Sequence, residues 1–273
     1  AVMTASPVLR YIPPSSCHIR CAGNMRMSIA SPSTMFWLET ARSAGTATLL
    51  PNGKVLATGG CNGAFCGTYL ATAAIWDPAG AGTWSAALTM GTARRRHVAA
   101  IVPDGRIVVV GGENSGGAVT SVEIWEAGAD AWSATGSMAG TRDEPLLVPL
   151  ADGRVLVVGA DSGTGNTTAE VWNPLPAPGA WSATDPMITA RGRHTLTLLS
   201  AGRVLAAGGN SNLVQTETWD PATGNWTASG NMTIGRMRHT DTLLGDGRVL
   251  GVGGSSLSSN PTSEVWDPTL GPN

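Results

Sequence analysis

The phrase TARRRHVAAIVPDGRIVVVGG, from Thr92 to Gly112, is written five times along this chain. The other copies are TARSAGTATLLPNGKVLATGG from Thr40, GTRDEPLLVPLADGRVLVVGA from Gly140, TARGRHTLTLLSAGRVLAAGG from Thr189 and IGRMRHTDTLLGDGRVLGVGG from Ile234. Aligned on the turn glycine (Gly53, Gly105, Gly153, Gly202, Gly247), each copy has an arginine eleven residues earlier and Gly-Gly six residues later. The third copy has Gly159-Ala160 there instead. Self-similarity with a period of roughly 45–50 residues is the mark of a solenoid, propeller or array.

One period reads as four short strands. In the second copy Val98 to Val102 is an apolar run, Pro103-Asp104-Gly105 a tight turn and Arg106 to Val110 a β-branched run. That is a hairpin with glycine where a positive φ is needed. Gly111-Gly112 ends the second strand and lets two backbones approach closely. Ser121 to Trp125 gives a third strand and Ala131 to Ser137, with Trp132, a fourth. The third strand ends in Trp-Asp-Pro or Trp-Asn-Pro at Trp76, Trp172, Trp219 and Trp266. Nine of the ten tryptophans fall into two columns, one on each outer strand, where packing between units explains them best. Four antiparallel strands joined in series make one blade of a propeller.

The charged fraction, 13%, is half that of an average protein, and the net charge is −2. No global field recruits nucleic acid or an anionic membrane, so neither is expected as a partner. No apolar run is long enough to span a bilayer, and no signal peptide is legible from Ala1 onward. The cysteines fall as Cys17/Cys21 and Cys61/Cys66, which fits two local disulfides or four free thiols equally well.

Gly-Gly after the second strand, an aromatic before Asp-Pro and a later Trp together resemble the kelch family of β-propellers, over Thr40 to Pro268. The expected fold is all-β, a five-bladed kelch-like propeller occupying residues 28–273, with 1–27 as an extension outside the repeats. The last copy stops before its fourth strand. A strand from within Ile29 to Leu38 is expected to complete that blade, because an open sheet edge is a liability. A monomer is expected.

In kelch-like blades the loop before the inner strand and the loop after Gly-Gly open on one face. The first set reads Arg42-Ser43-Ala44-Gly45, Arg94-Arg95-Arg96-His97, Arg142-Asp143-Glu144-Pro145, Arg191-Gly192-Arg193-His194 and Arg236-Met237-Arg238-His239. Glu123, Glu170, Glu217 and Glu264 stand two residues before the third-strand Trp, once per blade except the first, where Ala74 replaces them. The leading arginines are therefore expected to pair with these glutamates as a repeated structural bond. Arg42, without a glutamate, is the one expected to be free for a ligand. His97, His194 and His239 either brace their own loops or converge on a metal as neutral imidazoles.

The repeat breaks its symmetry in three places: at Asp143-Glu144, at Asp241, which stands in a column otherwise Ala47, Ala99, Leu147 and Leu196, and in the first blade, which is stripped to Ala44-Gly45 and carries Cys61, Cys66 and Tyr69 in its long outer loop. Carboxylates around an axis suit a hard cation such as Ca²⁺. One expectation is thus a calcium-dependent hydrolase of small esters or lactones. Asp143, Glu144 and Asp241 would hold the ion, Asp143 and Glu144 or a histidine (His97, His194, His239) would act in catalysis, and Arg42 would stabilise the oxyanion. Its likeness to calcium-dependent propeller lactonases is one of architecture. The other expectation is a non-catalytic binding module for a peptide or glycan, the commoner role of kelch-like domains. Kelch-like copper oxidases use tyrosine and histidine ligands, and only Tyr11 and Tyr69 exist here.

Overall fold

The computed structural model describes residues 40–79, 82–159, 166–176, 178–255 and 261–269. Within them the five repeats become five antiparallel sheets in chain order. The inner strands are Thr46–Leu49, Val98–Ile101, Leu146–Pro149, Thr195–Leu198 and Thr240–Leu243. Each forms a hairpin with a second strand, the third and fourth copies being Val155–Val158 and Val204–Ala207. The first four sheets carry four strands and the fifth carries three. The N-terminal strand expected to complete the fifth lies outside the described residues, as does the extension 1–27. No helix among the described residues is long and apolar enough to cross a membrane.

The hairpin glycines adopt the expected positive φ, between 81° and 90°. The Gly-Gly pairs do something more specific. A Cβ on Gly112 would lie 2.4 Å from the carbonyl oxygen of Arg95 in its own blade, and one on Gly111 would lie 2.7 Å from that of Arg142 in the next. The Gly112 N–H donates to that same Arg142 carbonyl at 2.7 Å. The pair is thus a backbone joint between blades, which only glycine leaves room for.

Alternation along each second strand sends one set of side chains forward and the other back. Four apolar seams result, each joining consecutive blades. Ile107, Val109 and Trp125 of the second blade meet Leu56 of the first. Trp172 of the third meets Val108 and Val110 of the second. Trp219 of the fourth meets Leu156 and Val158 of the third, and Val249 of the fifth meets Leu205 of the fourth. The two tryptophan columns are also cross-strand neighbours within a blade, Trp125 opposite Trp132 and Trp172 opposite Trp181. Inner strands pack first against second through fourth against fifth, and no comparable packing among the described residues joins fifth to first.

Candidate functional site

The loops before the inner strands gather at one end of the axis. Their leading arginines are structural. Arg94 is fully buried and donates to the carbonyls of Gly111 and Ser121 and to Glu123 Oε1 at 2.9, 2.7 and 2.9 Å. Arg142 and Arg191 repeat this with Glu170 and Glu217, both at 2.8 Å, and Arg236 with Glu264. Each glutamate also accepts backbone N–H bonds from the segment entering its blade, as Glu123 does from Gly91 and Thr92. The clamp therefore ties strand, loop and linker together. Burial lowers the Arg94 and Arg191 pKa values, and the adjoining carboxylates oppose that.

Arg42 does not stand free. It is buried and donates to the Gly59 carbonyl and to the Thr72 carbonyl and hydroxyl at 2.8, 2.8 and 3.2 Å. Losing its glutamate left the two carbonyls of the clamp in place. An arginine so held cannot reach a ligand at the mouth, which corrects the expectation for this residue.

Two residues further on, every one of these loops turns left-handed at a residue other than glycine. Ala44, Arg96, Glu144, Arg193 and Arg238 have φ of 52°, 55°, 48°, 57° and 54°. Backbone bonds between blades hold this conformation against its steric cost. The Arg96 N–H donates to the Ala44 carbonyl at 2.8 Å, Glu144 to Arg96 at 3.2 Å, and Arg238 to Arg193 at 2.8 Å. These five positions form the rim of the mouth.

The histidine column lies just beneath, wedged between blades. His97 Nε2 is hydrogen-bonded to Thr46 Oγ1 at 3.0 Å and Thr58 Oγ1 at 3.2 Å, both in the preceding blade. His239 Nε2 meets Thr195 Oγ1 at 3.1 Å in the same manner. His194 faces Leu146 and Val158 at the two threonine positions, and neither of its ring nitrogens has a partner among the described residues. Burial, aided by nearby buried arginines, pushes His97 and His194 down to about 3, so both imidazoles are neutral. In the third blade Pro145 replaces histidine and packs on Gly111, with Val98 and Val110 at the threonine positions of the blade before it. Histidine above threonine and proline above valine is a pairing legible across the copies, and His194 breaks it.

The carboxylates are engaged by other side chains of the protein. Asp143 Oδ2 lies 3.1 Å from Arg96 Nη1, Glu144 Oε1 3.8 Å from Arg96 Nε, and Glu113 bridges to Arg95 at 2.6 Å. Burial opposes charge on Arg96, and Asp143, Glu113 and Glu144 together outweigh it, raising its pKa. Asp241 accepts from Thr195 Oγ1 at 2.5 Å and lies 3.5 Å from His239 Nε2. Gly251 stands directly across the ladder from Asp241 and leaves space for it. The structure therefore brings Asp241 to His239 and Asp143 to Glu144, but in separate blades and with separate partners. Among the described residues no three His, Cys, Asp or Glu side chains are grouped to hold a metal ion.

The third break in symmetry, the long loop of the first blade, also reaches the mouth. Cys61 and Cys66 form a disulfide, and its loop is pinned to the rim by paired backbone bonds between Cys61 and Ser43. Phe65 at its tip is fully exposed, while the Tyr69 ring lies 5.2 Å from the Arg95 guanidinium. Cysteine spacing gave the signal for this loop.

The Kelch motif matches residues 94–139, which is the second repeat from its clamp arginine onward. Among solved structures, one described as "Structure of YjhT" superposes with a TM-score of 0.62 at 14% identity, covering 83% of this chain and 80% of its own. A copper complex of a fungal alcohol oxidase of the AA5 family superposes with a TM-score of 0.50 at 17% identity. That match covers 84% of this chain, which spans only 63% of the oxidase. No curated protein matches the chain. At such identities the likeness concerns the fold. The chain carries the kelch motif and folds as a kelch-type β-propeller.

Proposed function

We propose that this propeller is a binding module whose mouth takes an anionic group, such as a carboxylate on a peptide or glycan, between the fourth and fifth blades. The observation that carries the reading is the column of left-handed rim residues, in which the adjacent fourth and fifth blades both present arginine, Arg193 and Arg238, where the third blade has Glu144 and the first Ala44. The Arg238 N–H donates to the Arg193 carbonyl at 2.8 Å, which sets the two arginines side by side on the rim. A concave site with arginines of one sign attracts an anion, and guanidinium forks suit carboxylate geometry. The polar floor beneath, Thr195, His239 and Asp241, fixes these two blades together.

A calcium-dependent ester or lactone hydrolase has less support. Its carboxylates are engaged by Arg96 and Thr195, and two of its histidines, His97 and His194, are buried between blades. Calorimetric titration with a peptide bearing a free C-terminal carboxylate and with an oligogalacturonate, beside a turnover assay on lactones and short esters, separates the two. The reading expects saturable, salt-weakened binding of at least one probe and no turnover. Turnover abolished by a chelator and restored by calcium would replace it with the hydrolase.

A further inference from the structure

Cys61 and Cys66 are joined within a two-stranded ribbon that stands on the rim of the first blade. Its strands are Cys61–Asn62 and Thr68–Tyr69, with Cys61 opposite Tyr69. The two sulfurs differ in their surroundings. Cys61 is 1% exposed, and its backbone is bonded both ways to Ser43. Cys66 is half-buried in the turn Ala64–Cys66, next to the fully exposed Phe65. A thiol in solution can therefore approach the pair from the Cys66 side only.

A cation is aimed at the inner sulfur. Arg95 Nη1 lies 4.0 Å from Cys61 Sγ. The other edge of that guanidinium is held by Glu113, with Nε and Nη2 each 2.6 Å from Oε1, and its face lies over Tyr69. Arg96 shares Glu113 at 3.5 Å, so one carboxylate answers two guanidinium groups. The Ser43 hydroxyl lies 3.4 Å from Cys61 Sγ and 3.0 Å from Cys66 Sγ, and since neither sulfur of a disulfide carries a proton, the hydroxyl donates. A cation and a hydroxyl donor beside a sulfur favour its thiolate and make it a better leaving group. The turn adds a bias of its own. Phe65 and Cys66 have φ of 55° and 59°, a left-handed conformation costly for such residues, and opening the bond lets both leave it.

We propose that Cys61–Cys66 is an exchange site for small thiols at the rim of the mouth, with Cys66 the sulfur attacked and Cys61 the leaving group. The incoming thiolate bonds to Cys66 Sγ as the Cys61–Cys66 bond breaks, and the electron pair of that bond leaves on Cys61 Sγ, facing Arg95 and Ser43. A second thiolate attacks the sulfur of the bound small thiol and releases Cys66 as a thiolate, which takes a proton from water. Two small thiols are thereby oxidised to one disulfide, and the protein's disulfide is reduced by the same two electrons. Cys61 stays tied to Ser43 through the backbone. Exchange thus loosens the tip that carries Phe65 and leaves the base of the ribbon on the rim.

The test uses the full folded chain at neutral pH with glutathione as the thiol. Brief exposure, an acid quench and peptide mapping, which keeps this pair distinct from Cys17 and Cys21, should find glutathione on Cys66 and not on Cys61. Reduction of the pair, followed by mass after alkylation, should be about fivefold or more slower in Arg95→Gln, and Arg95→Lys should recover most of the rate. The sign of the effect separates this from bracing. An arginine that only held the ribbon in shape would, once removed, loosen it and speed reduction. Glutathione on Cys61, an Arg95→Gln rate equal to or above the parent's, or reduction no faster than global unfolding read by hydrogen exchange would overturn the proposal.

Discussion

Val110 and Val158 occupy the same place in consecutive blades, at the end of the second strand, opposite Val98 and Leu146, and both are wholly buried. They differ in what sits above them: Pro145 over the first and the unpartnered imidazole of His194 over the second. Threonine keeps the shape of valine and adds a hydroxyl. In Val110→Thr that hydroxyl meets no ring nitrogen, and burying it unpaired costs about 1–3 kcal/mol. In Val158→Thr it enters the position of Thr58, whose Oγ1 lies 3.2 Å from His97 Nε2. The new bond contributes about 0.5–1.5 kcal/mol and relieves a buried imidazole otherwise left unpaired. Val158→Thr should therefore match or exceed the parent protein, with a gap of about 2 kcal/mol or more between the two variants. Urea unfolding reads this as a difference in midpoint at constant slope. In a His194→Leu background the gap should disappear. Equal losses in both variants, or a gap that survives the loss of His194, would refute the reasoning.

Acid should destabilise the fold before its carboxylates titrate. His97 and His194 protonate near 6.5 when unfolded but only at about 3 when folded, so between those values the unfolded chain holds more protons and stability falls with pH. At pH 5 the loss is about 2 kcal/mol per histidine, and unfolding midpoints that do not change between pH 7.5 and 5 would contradict it. Arg191→Met leaves Glu217 buried without its cation and should cost about 3–5 kcal/mol in urea unfolding; a loss below 1 kcal/mol would show the clamp to be dispensable. Reducing the Cys61–Cys66 disulfide, which closes a short loop, should cost roughly 2 kcal/mol at most and leave the other blades intact by circular dichroism. Calcium and chelator should leave the melting temperature unchanged, and a calcium-dependent rise would mean that the carboxylates form a site after all.

The fold was legible because the repeat states it in several ways at once. Turn glycines, Gly-Gly joints, two tryptophan columns and one arginine per copy each constrain a different level of the structure. The arginine–glutamate clamp was legible too, since both residues recur at fixed offsets. The exception, Arg42, was misjudged for a physical reason: removing one carboxylate suggests a free cation only if backbone carbonyls are not counted as partners. Asp143 and Glu144 stood out as acids on a rim of arginines. Sequence could not show that Arg96 of the preceding blade folds across them, because that contact depends on how far neighbouring blades lie apart.

The account rests on the fourth and fifth blades, not the acidic third, receiving the ligand. The direct measurement is the affinity for oligogalacturonate and for the carboxylate peptide of the parent chain, of Arg238→Ala, and of the double variant Asp143→Asn/Glu144→Gln. The account predicts that Arg238→Ala weakens binding about tenfold or more, the size of one lost charge-assisted hydrogen bond, while the double variant binds at least as tightly as the parent. Binding that survives Arg238→Ala and is lost in the double variant would contradict it.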